Sequence, residues 1–182
     1  MASTVACFID VRILRKPVEQ EAVTVGRRQG SGVLQFCSRI VRMTPDSLFS
    51  LCNTLVLPAW ILLIFAPRWR WTNRVCIVVP LLLATTYLVL IGINFRPGTG
   101  GFGSLDQVSK LFANPNMLLA GWVHYLAFDL FTGAWEARDA AGLGIRHAFV
   151  IPCLVLTFLF GPIGLLLYFV VRSTNGGILE LK

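Results

Sequence analysis

The sequence predicts an all-α integral membrane protein, a four-helix bundle that crosses the bilayer behind a disordered basic tail. Hydrophobic residues make up 55% of the 182 positions and charged residues only 14%, with a mean hydropathy of +0.71. A soluble domain carries roughly 25% charged residues, so this composition indicates a membrane protein. Long apolar intervals predict spans over 47–66, 75–95, 115–137 and 147–171, because crossing a bilayer takes about 17–25 helical residues.

The first 43 residues differ from the membrane domain predicted over 44–175. They mix basic and acidic side chains, contain several glycines, and lack the apolar core of a secretory signal. Two interpretations stay open for this segment: an organellar transit peptide that is removed, and a disordered basic tail. Residues 176–182 are predicted to be a short C-terminal tail.

Proline and glycine predict where the spans begin and bend. The first span follows a helix-start signal at Thr44–Asp46, with Pro45 in a position that suits a first turn. Prolines inside the spans predict kinks, because neighbouring helices can satisfy the carbonyls that a proline frees. The sharpest kink is predicted at the step from Gly161 to Gly164 in the fourth span. These two glycines would let another backbone or a flat ligand approach closely.

The third predicted span carries ionisable residues, whereas the other long apolar runs lack charge. Such residues are costly in hydrocarbon and usually mark function. At 100° per residue they share one half of the helix with aromatic side chains, which predicts a wall facing a partly polar cavity. The candidate catalytic residues, one of them in the next span, are His124, Asp129, Glu136, Asp139 and His147. The candidate substrate contacts are Trp122, Phe128, Trp135, Gly161 and Gly164.

The helical rise separates these candidates by depth. A rise of 1.5 Å per residue puts His124 about 12 Å and Asp129 about 20 Å into the third span, so these two are predicted to be a buried pair. Glu136 and Asp139 are predicted to emerge at the far interface and to form a cluster with His147. Purely structural roles stay open for both groups. The interfacial acids could form salt bridges with arginines or lipid headgroups, and the buried pair could form a hydrogen bond between helices.

Composition also excludes several function classes. Two histidines cannot supply the many ligands of a membrane di-iron enzyme, and the five cysteines show no ligand spacing. We therefore expect no metal and no cofactor, and any catalysis should be of the acid–base kind. The net charge of +7 arises at span ends and in the tail, so no nucleic-acid partner is expected. The segment Arg68–Trp71 predicts an interfacial anchor of aromatic and cationic side chains.

Motifs in the second half of the chain resemble a known family. They are Leu111-Phe112, Asn114-Pro115, Ala120 to Phe131, Trp135-Glu136, Arg138-Asp139, Gly144-Ile145, Arg146-His147, Pro152-Cys153, Thr157 and Pro162 to Gly164. The family is the abscisic-acid-deficient-four-like family of small membrane proteins, which includes plant neoxanthin synthase. The resemblance extends over residues 45–172 and is strongest after residue 110.

This resemblance implies an enzyme of xanthophyll formation, an isomerase of the kind that rearranges violaxanthin into allenic neoxanthin. That reaction opens a protonated epoxide and releases a neighbouring proton, so it needs an acid, a base and a dry pocket but no redox cofactor. The implied partners are the lipid bilayer, a carotenoid substrate or pigment, and another membrane protein. The implied location is a plastid membrane, envelope or thylakoid, in a eukaryote and the cytoplasmic membrane otherwise.

The implied function places chemistry at the interface end of the third span. The ring ends of a carotenoid would lie near the interfaces, because the hydrocarbon core is about 30 Å thick. Glu136 or Asp139 would then donate the proton, and His147 or a second carboxylate would accept one. Two alternatives stay open: a non-catalytic pigment-binding or structural partner protein, and a proton or ion pathway through His124 and Asp129.

Overall fold

The computed structural model describes residues 32–174 apart from 97 and 99, and the chain is helical throughout these ranges except in its loops. Its helices are α1 (Gly32–Arg42), α2 (Pro45–Phe65), α3 (Thr72–Asn94), α4 (Leu105–Phe112), α5 (Pro115–Gly142), α6 (His147–Phe160) and α7 (Pro162–Thr174). Within the described ranges there is no β-strand, which confirms the predicted all-α class. The helices α2, α3 and α5 are long and apolar enough to cross a membrane.

The end of the predicted N-terminal tail is helical rather than disordered. Residues 32–42 form α1, which packs on α3 and buries Ile40 in the core. Arg39 and Arg42 lie in its last turn, where positive charge interacts favourably with the helix dipole. Residues 1–31 and the predicted tail at 176–182 lie outside the described residues, so the transit-peptide interpretation stays a prediction.

The helices α2 and α3 are joined by a short loop rich in tryptophan and arginine. The Thr44 side chain caps α2 by accepting a hydrogen bond from the Ser47 backbone N–H at 3.3 Å, as the start signal predicts. In the loop and the first turn of α3, the guanidinium groups of Arg70 and Arg74 lie 5.4 and 4.8 Å from the centre of the Trp71 ring. Such cation–π stacking is the arrangement expected of an interfacial anchor.

The central helix is α5, which packs against α2, α3, α4, α6 and α7. The Asn114 side chain caps its first turn by accepting a hydrogen bond from the Asn116 N–H at 2.9 Å. Its 28 residues extend over about 42 Å. The buried side chains of Val123, Leu130 and Ala134 pack in one core with residues of α2, α3 and α6. The candidate residues on α5 are therefore positioned by one long helix that packs against five others.

The helices α6 and α7 form a hairpin, whereas the sequence predicts one kinked helix over 147–171. The chain breaks at Gly161, whose φ of 47° is left-handed backbone that favours glycine. A Cβ atom on Gly164 would overlap the backbone of Thr157, seven positions earlier. In a continuous helix those residues would lie about 10 Å apart, so the chain has reversed direction. The predicted kink is therefore a turn, after which α7 runs back along α6.

Candidate functional site

Glu136 is enclosed where α6 and α7 pack on α5. The residue is 0% exposed, and Thr157 Oγ1 of α6 donates a hydrogen bond to the carboxylate, lying 2.9 Å from Oε1 and 3.2 Å from Oε2. Gly164 of α7 packs directly on Thr157 from the other side. Gly164 was predicted to let a flat ligand approach, but it instead lets α7 pack closely on α6. Glu136 therefore lies in the interior of the bundle.

Asp139 lies one turn further along α5 and holds the second half of the hairpin. Its Oδ2 accepts a hydrogen bond from the Tyr168 hydroxyl at 2.5 Å and one from Arg172 Nε at 2.8 Å. The ring of Trp135 meets the Tyr168 ring edge-on, with 5.5 Å between the ring centres. The predicted substrate contact Trp135 is therefore packed against α7. A buried ion pair of this kind fixes the position of both helices.

Asp129 lies at the tip of the hairpin. A Cβ atom on Gly161 would lie 2.7 Å from Asp129 Oδ1, so the carboxyl group occupies the space that the glycine leaves open. Oδ2 of Asp129 is buried, and no hydrogen-bond partner reaches it within the described part of the chain. A buried oxygen without a partner costs free energy and calls for a proton or a ligand. Asp129 thus has hydrogen-bonding capacity left for a guest molecule.

Tyr125, one turn before Asp129, links α5 to the end of α6. Its hydroxyl lies 3.2 Å from the carbonyl oxygen of Leu159 and 3.4 Å from that of Phe158. Carbonyls in the last turn of a helix have no partner within it, so this hydroxyl satisfies part of that need. Asp129 follows Tyr125 by four residues on α5, so the two side chains are neighbours on one face of the helix. Tyr125 was not among the predicted site residues, although its four-residue spacing from Asp129 is a signal in the sequence that could have found it.

His124 is exposed on a different face of α5 from Asp129. Its ring stacks obliquely on Phe128, with 4.6 Å between the ring centres, and lies 5.4 Å from the Tyr87 ring of α3. Five helical residues correspond to a rotation of about 140°, which directs the two side chains to different neighbours. The structure thus gives His124 and Asp129 different neighbours and does not join them as the predicted pair, and Phe128 lies with His124.

His147 begins α6 and connects it to the end of α2. Its Nε2 lies 3.0 Å from the carbonyl oxygen of Ile64. Thr157, the partner of Glu136, is ten residues further along α6, which corresponds to about 15 Å. The structure thus gives Glu136, Asp139 and His147 separate partners and does not join them in the predicted cluster.

An apolar groove of about 600 Å³ opens between α2, α4 and α5. Trp122 lines it, and its Nε1–H donates a hydrogen bond to Asn53 Oδ1 at 3.0 Å. The rings of Phe49 and Tyr125, which also line the groove, each lie 5.5 Å from the Trp122 ring. The predicted aromatic contact Trp122 therefore faces a space large enough for a ligand, and Tyr125 lies between that space and Asp129 on α5.

Three other residues of the site were missed by sequence reasoning. Thr157, Tyr168 and Arg172 supply the partners of the two acids, and all three are buried. Tyr168 and Arg172 are four residues apart, so they share one face of α7, and an arginine on the same face as a tyrosine in an apolar segment was a usable signal. Thr157 has no comparable signal, because a threonine in a membrane helix commonly bonds to its own backbone.

Comparisons with known proteins agree with the resemblance carried by the motifs. A family model described as ABA DEFICIENT 4-like matches residues 47–168. The protein ABA DEFICIENT 4, chloroplastic, of Arabidopsis thaliana is 27% identical over 172 residues, which cover 87% of this chain and 75% of that relative. No solved structure matches the chain significantly. Since the family model takes in more than half of the residues, the chain belongs to the ABA DEFICIENT 4-like family.

Proposed function

We propose that this protein acts in a plastid membrane, in the xanthophyll metabolism connected with abscisic acid. Membership of the ABA DEFICIENT 4-like family and a relative named as chloroplastic support this role. The long apolar helices α2, α3 and α5 support a place in the bilayer. Within this role we propose that the protein isomerises an epoxy-carotenoid such as violaxanthin to the allenic neoxanthin.

The membrane arrangement that fits this fold has three crossings and a re-entrant hairpin. The helices α6 and α7 have 14 and 13 residues, which is shorter than a bilayer crossing requires. Their reversal at Gly161 brings the chain back to the side on which α6 began. The four crossings expected from hydropathy are replaced in this proposal by α2, α3 and α5, with the hairpin packed against α5.

The observation that carries the isomerase proposal is the unsatisfied Oδ2 of Asp129 near an aromatic groove. An end group of the substrate would lie against Trp122 and reach the hairpin tip past Tyr125. Asp129 in its acid form would protonate the epoxide oxygen as the carbon–oxygen bond breaks. Its carboxylate would then take a proton from a neighbouring carbon, so the new hydroxyl keeps the first proton and the substrate keeps its composition. This sequence needs no redox partner.

The other predicted catalytic acids have a supporting part in this proposal. Glu136 bonds to Thr157 and Asp139 bonds to α7, so both hold the hairpin whose tip meets Asp129. The same internal bonds also favour the competing function, in which the protein binds a pigment without converting it. In that case the polar groups of α5 only join helices.

A host that accumulates violaxanthin distinguishes these functions. We expect the wild-type chain to yield a new allenic product by chromatography, and Asp129→Asn to lower its formation by about a hundredfold or more, as loss of a general acid does. Asp106→Asn, which alters an exposed acid on α4, should leave conversion unchanged and serves as the matched control.

The outcomes separate the role of Asp129 from the function itself. Conversion by the wild type together with full conversion by Asp129→Asn would remove Asp129 from the mechanism and leave an isomerase. An unchanged pigment profile with intact protein in the membrane, accompanied by pigment that purifies with it, would establish the binding function instead.

A further inference from the structure

A second cavity, distinct from the aromatic groove, lies at the opposite end of the bundle. Its volume is about 320 Å³, and its wall is built from α2, α3, α5, α6 and the loops beside them. The polar side chains in this wall include Arg68, Asn73, Arg138 and His147. None of the residues that line it is an aspartate or glutamate. The cavity is therefore cationic, and it contains no counter-charge of its own.

The two arginines of this cavity form no ion pair within the part of the chain that the structure describes. The ion pairs among the described residues are Lys110–Asp106 and Arg172–Asp139, so neither Arg68 nor Arg138 forms one there. Arg138 donates one hydrogen bond, from Nε to the carbonyl oxygen of Ala134 at 3.2 Å. A guanidinium group has five N–H donors in a planar fork, so most of them remain for an anion.

Two helix N-termini add to the positive potential. The helix α3 begins at Thr72 and α6 begins at His147, and both first residues line the cavity. Neither helix has a side-chain cap, because Trp71 and Arg146 at the cap positions make no such bond. The first-turn N–H groups and the positive ends of the helix dipoles favour an anion beside them. Charges of one sign thus converge on a single concave site.

The surroundings of the cavity indicate which kind of anion it suits. The rings of Trp69 and Trp71 are exposed on the same loop as Arg68, as in the aromatic belt at a membrane interface. Leu63 and Val150 give the cavity an apolar inner wall. A ligand with an anionic head and an apolar body matches both parts.

We propose that this cavity binds the anionic headgroup of a membrane lipid, a phosphate or sulfonate held by Arg68 and Arg138. The site lies beyond the proposed isomerase function, because it shares no residue with the aromatic groove or with Asp129. Free phosphate has the same binding chemistry and is the alternative source of the anion. Occupation of the site would join α2, α3, α5 and α6 at one end of the bundle through a single bound group.

The test uses the full chain, purified in uncharged detergent, and its thermal unfolding midpoint. Phosphatidylglycerol should raise the midpoint by several degrees, because a ligand that binds the folded state stabilises it, whereas a neutral galactolipid should not. Arg68→Gln with Arg138→Gln should weaken the apparent affinity about tenfold or more. The control is Arg70→Gln with Arg74→Gln, which also removes two positive charges, one from the loop that holds Arg68 and one from the first turn of α3. Neither side chain lines the cavity, so this variant should keep the wild-type affinity.

The possible outcomes identify the anion that binds or overturn the proposal. Inorganic phosphate that raises the midpoint as far as the lipid does would make a free anion the ligand of the same site. Equal losses in the two double variants, or no response of the wild type to lipid and phosphate, would overturn the proposal. If the cavity double variant does not fold, Arg68→Gln alone replaces it, because this loop side chain is exposed and its loss should not affect folding. A lipid titration of this variant identical to that of the wild type would again overturn the proposal.

Discussion

Arg172 Nε lies 2.8 Å from Asp139 Oδ2, although 33 positions separate these residues along the chain. The two side chains are only 3% and 9% exposed. This contact ties the last described helix to the central one near the end of α5. The register of the hairpin on α5 is therefore set by a buried polar bond as well as by apolar packing.

Breaking this ion pair should destabilise the protein strongly. Asp139→Asn or Arg172→Met should each lower the free energy of unfolding by about 3–5 kcal/mol, because the remaining buried group loses the opposite charge of this pair. The measurement is denaturant unfolding in micelles. Lys110→Met, which breaks the exposed pair with Asp106, is the control and should cost less than about 1 kcal/mol. Equal effects at the two sites would contradict the enclosed environment of the Asp139 pair.

A methyl group at the crossing of α6 and α7 should loosen the hairpin. Gly164→Ala places a Cβ atom against the backbone of Thr157, so we expect a loss of about 1–3 kcal/mol in stability from overpacking. Gly92→Ala in α3 is the matched control, since a Cβ atom there meets nothing within 4 Å. The control should be neutral or gain up to about 1 kcal/mol from helix propensity. An alanine tolerated equally at both positions would refute the close crossing.

Glu136→Gln should preserve both fold and pigment conversion. The amide keeps the volume of the acid and can still accept a hydrogen bond from Thr157, so we expect a change of roughly 0.5–1.5 kcal/mol in stability. Thr157→Val should cost about 1–3 kcal/mol, because it leaves the enclosed carboxyl group without a donor. Chromatography of the pigments made by each variant checks the first expectation. Loss of conversion in a stable Glu136→Gln protein would return this acid to the mechanism.

The hairpin predicts on which side of the membrane the chain ends. A reporter fused to the C-terminus should report the same side as a thiol introduced at Arg70→Cys, in the loop between α2 and α3. A thiol at Ser104→Cys, before α4, should be labelled from the opposite side by a reagent that does not cross membranes. A C-terminal reporter on the side of residue 104 would instead support a continuous fourth span.

Hydropathy was sufficient to locate the three long helices. The spans predicted over 47–66 and 75–95 correspond to α2 (Pro45–Phe65) and α3 (Thr72–Asn94) within a few residues. The third prediction, 115–137, corresponds to α5 (Pro115–Gly142), which continues for five residues beyond it. These helices are recognised by a long apolar run, and that property belongs to the local sequence alone.

The direction of the chain after Gly161 could not be read in the same way. An apolar segment satisfies hydropathy equally well as one span or as a hairpin, and contacts such as the close approach of Gly164 to Thr157 are needed to decide between them. The partners of the polar residues likewise depend on this reversal, because it is what brings Arg172 to Asp139. Sequence reasoning therefore identified the acids on α5 but not the side chains that bind them.

The Tyr125 hydroxyl at the end of α6 has a consequence for how the two sides of α5 communicate. The same side chain forms part of the groove wall and satisfies backbone carbonyls of the hairpin, so displacing it affects both places at once. A guest molecule large enough to rotate this ring would release the last turn of α6 and leave Asp129 with a different neighbour. Tyr125 is thus shared by the groove wall and the tip of the hairpin, so a change at either place involves the same side chain.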